Sequence, residues 1–97
     1  MTKKQRIKEI KDEIEWYNPK KRIVDAMLEL GEIGFEFSGH GCGFGGEDFN
    51  LFNKKLYVNL CDRGNKVVAS VYDNSDDMDT LLEGTIGAAL KFVKSRK

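Results

Sequence analysis

Three side chains in this sequence are suited to chemistry by type: His40, Cys42 and Cys61. His40 is the only histidine, and Cys42 and Cys61 are the only cysteines. His40 and Cys42 are two residues apart, and alternate residues of a strand share a face. A thiol beside an imidazole can act as nucleophile and base, with the ring taking the thiol proton. Glu36 or Asp48 would have to orient the ring. A pair on a glycine-rich stretch is poorly preorganised for such work. With one histidine in the chain, no Ser-His-Asp set can be assembled beside it. The same His40, Cys42 and Cys61, with Asp48 or Asp62 as a fourth ligand, could be considered for zinc. Structural zinc sites show paired short spacings such as Cys-x-x-Cys, and His-x-Cys with one distant cysteine does not match them. The expectation is therefore no catalytic set, no metal and no cofactor.

The stretch Gly34–Phe49 also gathers six of the ten glycines and four of the six phenylalanines. Backbone N–H groups of Gly39, His40, Gly41, Gly43 and Gly45 could cradle a phosphate, as glycine loops before helix N-termini do. Here the flanking segments both read as strands. The spacing fits neither the dinucleotide fingerprint nor the Gly-Lys-Ser/Thr phosphate loop. A small-ligand or nucleotide site over Gly39–Gly46 is the alternative reading. A bulged or flexible hairpin is the primary one. Asp73, Ser75, Asp77 and Asp79 have the first spacings of a calcium loop, but Met78 and Gly84 stand where its Gly and Glu belong. Those acids read instead as the cap of a helix.

The elements that would position these residues are set by periodicity. Ile7, Ile10, Ile14 and Tyr17 recur at steps of three and four, so residues 3–17 form an amphipathic helix, with Trp16 widening its apolar stripe. Asn18-Pro19 interrupts it, with Asn18 placed to cap a second helix. Ile23, Val24, Met27, Leu28 and Leu30 mark that second helix over 19–30, or the rest of one bent helix, closed by Gly31. From Ile33 the period becomes two, and strands are expected at 33–38, 50–61 and 66–73. Met78, Leu82, Ile86, Ala89 and Val93 then mark a helix over 76–95, with Gly84 and Gly87 inside it. The fold class is α+β: two N-terminal helices, a three-stranded antiparallel meander and a C-terminal helix, all helices on one sheet face, in one domain.

The order from 19 to 95 resembles the layout of a double-stranded-RNA-binding domain. In that family the last helix begins with a lysine cluster. Here the same place reads Asp76-Asp77-Met78-Asp79, which would repel phosphate. That argues against direct nucleic-acid binding.

Net charge is zero, but it is distributed in blocks. Residues 1–22 are mostly basic, 23–53 hold six acids and no Lys or Arg, 54–72 are basic, 73–83 acidic and 84–97 basic. Apolar runs fall far short of the about 20 residues of a membrane span. No signal-peptide core precedes the first helix, so the expected location is cytoplasmic, with reduced thiols. Strand alternation places Glu36, Ser38, Tyr57, Asn59, Ser70 and Tyr72 on the sheet face away from the helices. Phe44, Glu47, Asp48, Asp76 and Asp77 would flank them. Acids around exposed aromatics suit a basic protein surface. The expected function is non-catalytic protein binding, as an inhibitor or regulator, by a monomer or homodimer. A nucleic-acid-binding enzyme would offer a suitable partner surface. The most specific form of this expectation is a phage-type anti-defence protein such as an anti-CRISPR protein, although no motif ties the chain to such a family.

Overall fold

Two separate helices, not one bent one, open the chain in the computed structural model, which describes residues 2–43 and 46–96. The first, α1 (Lys3–Tyr17), starts from a capping box: Thr2 Oγ1 accepts from the Gln5 N–H, and the Gln5 side chain accepts from the Thr2 N–H. Asn18 ends α1 in the left-handed conformation and donates its backbone N–H to Ile14 O. It therefore closes the first helix instead of capping the second. Helix α2 (Lys21–Glu32) begins without a side-chain cap. Gly31 lies inside α2, not at its end, and a methyl group there would stand 2.6 Å from Ile10 and 2.8 Å from Ile7. The glycine permits the close crossing of α1 and α2, where Arg6 Nε donates to Gly31 O at 2.8 Å. Trp16 does not join the apolar stripe; it is 80 % exposed.

Five strands come next, not three. They are β1 (Glu36–Gly43), β2 (Gly46–Phe52), β3 (Leu56–Asp62), β4 (Val67–Asp73) and β5 (Thr80–Gly84), paired antiparallel in chain order. Two corrections concern the first three strands. The glycine-rich segment belongs to a bulged hairpin and extends the first strand beyond residue 38: Gly39, His40, Gly41 and Cys42 are strand residues paired to β2. The segment 50–61 is not one strand, because Asn53 reverses it. Asn53 Oδ1 accepts the Lys55 N–H at 2.8 Å and the Leu56 N–H at 2.7 Å, an Asx turn that apolar periodicity does not reveal.

The third correction concerns residues 76–84. The acidic run does not cap a helix; it lies in the β4–β5 loop, with Met78 at φ 49°. Residues 80–84 pair with β4, Gly84 ends β5, and the last helix, α3 (Ile86–Ser95), is ten residues long. Its cap is Thr85, which accepts the Ala88 N–H at 3.1 Å. Leu82 and Ile86, four apart, fit a helix pattern equally well across this strand-to-helix junction. The three-stranded layout behind the likeness to an RNA-binding domain is accordingly absent.

The helices cover one face of the sheet, α1 toward β1, α2 in the middle, and α3 over β4 and β5. The core joins Ile10, Ile23, Met27 and Leu30 to Phe49, Leu51, Val58, Leu60 and Val71. Among the described residues no helix is long and apolar enough to cross a membrane.

Candidate functional site

The face of the sheet away from the helices carries three rows of cross-strand neighbours. Register sets the first as Glu36, Phe52, Tyr57, Tyr72 and Thr80. The second is Gly39, Asn50, Asn59, Ser70 and Glu83, and the third Gly41, Asp48, Cys61 and Val68. The first row is aromatic at its centre, with the Tyr57 and Tyr72 rings 6.5 Å apart. The second is polar, and Asn59 Nδ2 donates to Asn50 Oδ1 at 2.7 Å. Together the rows line a shallow cleft of about 300 Å³ over β2, β3 and β4. Gly39 has nothing within 4 Å of where a Cβ would stand, so the β1 side of this face is bare backbone.

The expected interface residues divide. Glu36, Tyr57 and Tyr72 share the first row, and Asp48 lies on the same face in the third. Asp76 and Asp77 are exposed in the β4–β5 loop, which leaves β4 beside Tyr72. Glu47 does not belong with them. It alternates with Phe49 and Leu51 and points to the helix side, 3.2 Å from His40 Nε2. Ser38 is also misplaced by simple alternation, since the β1–β2 register slips between Phe37 and Gly39. That bulge shifts the phase of β1 by one residue and turns His40 and Cys42 to the helical side. Phe44 and Gly45, one named for the interface and one for the ligand loop, lie outside the described residues.

Two further residues belong to the open face and carry no strong sequence signal. Glu83 falls where periodicity predicts a helix, and Phe52 has no assigned side while 50–61 reads as one strand. Charge on this face is not uniformly acidic. The Lys54-Lys55 turn sits at the same end as the acidic loop, and Asn74 N donates to Lys55 O at 2.9 Å. Ion pairs are nevertheless concentrated on the helical side of the molecule. Lys3–Glu32, Lys8–Asp12, Lys21–Asp25 and Lys94–Glu29 all pair within the helical layer, and Lys20–Asp62 ties it to the β3–β4 turn. Among the described residues, Glu36, Asp48, Asp76, Asp77 and Glu83 have no ion-pair partner.

The chemistry-bearing residues fall on opposite faces. The His40 ring is stacked on Tyr17 at 3.8 Å and tilted against Phe49 at 4.9 Å. Its Nε2 meets both Glu47 Oε2 at 3.2 Å and Cys42 Sγ at 4.0 Å. Carboxylate and thiol thus meet the same nitrogen. A proton relay instead needs them at the two different ring nitrogens. Cys61 lies on the open face, 6 % exposed, where burial raises its thiol pKa above the ordinary 9.0. The Asp48 carboxylate raises it further, and Arg63 opposes the shift. His40 and Cys42 therefore cannot join Cys61 around one ion. Among the described residues, no three His, Cys, Asp or Glu side chains are grouped to hold a metal.

Among the described residues of the glycine stretch, Gly39 and Gly41 take part in strand pairing, and Gly46 packs against the β3 backbone at Asp62. Comparison with models of protein families, with curated proteins and with solved structures found no match.

Proposed function

We propose that this protein is a non-catalytic binding module that docks the open face of its sheet onto a basic protein surface and acts as an inhibitor or regulator of that partner. One observation carries the reading. The uncovered face presents a Phe52–Tyr57–Tyr72 row flanked by carboxylates without ion-pair partners among the described residues, while four acids of the helical layer, Asp12, Asp25, Glu29 and Glu32, pair with lysines. Tyrosines on a rigid sheet give large contact area at small entropic cost, and unpaired carboxylates select a cationic partner. The cleft volume suits one or two inserted side chains. Inhibition of a nucleic-acid-binding enzyme, the role of phage-type anti-defence proteins such as anti-CRISPR proteins, is the specific form of this proposal.

The test is affinity capture from the native host at low and high salt, repeated with a charge-reversed protein. Asp48→Lys, Asp76→Lys, Asp77→Lys and Glu83→Lys together should abolish capture. The same number of reversals on α1 and α2, at Glu9, Glu15, Asp12 and Asp25, should leave it intact. Capture that survives the open-face reversals, or is lost equally with both sets, would refute the assignment.

A further inference from the structure

The two layers do not close at the end that carries the β2–β3 turn. A cleft of about 610 Å³ opens there, between that turn and the C-terminal end of α3. Its inner wall is apolar: Phe35, Leu56 and Val93 are buried in the core, and Leu81 stands at the mouth, 38 % exposed. Its rim is cationic. Lys54 and Lys55 come from the turn and Arg96 from the cap of α3.

Among the described residues none of these three cations has an ion-pair partner. Arg96 lies over the Phe92 ring at 4.6 Å, which holds the guanidinium in place without neutralising it. The one carboxylate on the lining, Asp73, accepts a hydrogen bond from Ser75 Oγ at 3.0 Å. A concave apolar wall with a few convergent polar groups, at about 300–1,000 Å³, is the form of a small-molecule site. Here three of the four charged groups on the lining are cationic.

We infer that this cleft binds a small monoanionic amphiphile of the medium-chain fatty-acid class. The apolar chain lies between the layers against Phe35, Leu56, Val93 and Leu81. The carboxylate sits among Lys54, Lys55 and Arg96. A neutral molecule of the same length leaves the three cations uncompensated, and a cationic one is repelled. The site is separate from the open face, so neither assignment depends on the other.

The experiment is a titration of the isotopically labelled protein with decanoate, followed by amide shifts, beside decanol and decylammonium. Saturable shifts should cluster at Phe35, Leu56, Leu81 and Val93. Decanol and decylammonium should bind at least about tenfold more weakly, as should decanoate to the Lys54→Glu/Lys55→Glu protein and to Leu81→Glu. All three substituted residues are exposed, and the same spectra report whether each variant keeps the fold. Four results would overturn the inference: no saturation below about 1 mM; equal binding of the neutral or cationic probe; unchanged affinity in folded variants; or shifts centred on Ile7 and Lys8, where α1 offers another lysine-rimmed apolar surface.

Discussion

A methyl group added at Gly46 would overlap the Asp62 carbonyl oxygen and stand 2.9 Å from its carbon, at a φ of 114°. Neither the clash nor the backbone can be relieved without moving β3. Gly46→Ala should therefore lower unfolding free energy by about 2 kcal/mol or more in urea titrations. Gly39→Ala meets open space and should change it by less than about 1 kcal/mol. Equal effects at the two positions would contradict this packing. The cysteines differ as sharply. Cys42 is exposed, whereas Cys61 is buried on the far side of the sheet with its thiol pKa raised. At pH 8 a thiol reagent should modify Cys42 first, and the Cys42→Ser protein should react at least about tenfold more slowly until it unfolds. Rapid modification of that variant while folded would show Cys61 to be more accessible than its packing allows.

The β3–β4 turn gives a prediction at the scale of the element. Asp62 Oδ1 accepts the Gly64 N–H at 2.9 Å and lies 3.1 Å from Lys20 Nζ, and Lys20 also donates to Gly64 O at 2.6 Å. The backbone hydrogen bond chiefly, and Lys20 next, hold the Asp62 carboxyl below its ordinary 3.8 against the opposing effect of burial. A depressed carboxylate stabilises the fold above its unfolded pKa and loses that contribution as pH falls through the folded one. Asp62→Asn should thus cost about 1 kcal/mol near neutrality, and the gap to the parent should shrink as pH drops below about 4. A gap that stays constant down to about pH 2 would remove the assignment.

Elements are legible in the sequence where a single period runs uninterrupted. Ile7, Ile10 and Ile14 mark α1, and Val58 and Leu60 mark β3. They are illegible where a side chain reverses the backbone, as Asn53 does, or where one residue shifts the phase, as at Ser38. Leu82 and Ile86 mislead for a related reason: a strand meeting a helix at Thr85 keeps a helical spacing by coincidence. The candidate site is legible in its aromatic row, because Tyr57 and Tyr72 lie on clean alternations. Glu47 is lost to the other face because the strand begins at Gly46 instead of residue 50, and alternation with Phe49 and Leu51 then turns it toward the helices.

At the scale of the whole molecule, a net charge of zero conceals an asymmetry that should appear in kinetics. Residues 3–32, which make up the first two helices, carry eight basic and seven acidic side chains, so their long-range field is weak. On the open face Glu36, Asp48 and Glu83 have no ion-pair partner among the described residues and surround Tyr57 and Tyr72, an arrangement that would steer the proposed cationic partner before contact. Charges that steer act on association, whereas buried aromatics act on dissociation. With a captured partner, Glu36→Lys and Glu83→Lys should slow association and flatten its dependence on salt, with little change in dissociation. Tyr57→Ala and Tyr72→Ala should leave association within about threefold and speed dissociation by about tenfold or more. The two tyrosines are neighbours in one row, so their double variant should fall short of the summed single effects. If the charge variants act on dissociation alone, or the tyrosine variants on neither rate, then the partner sits on some other surface and the open face is only the solvated side of the sheet.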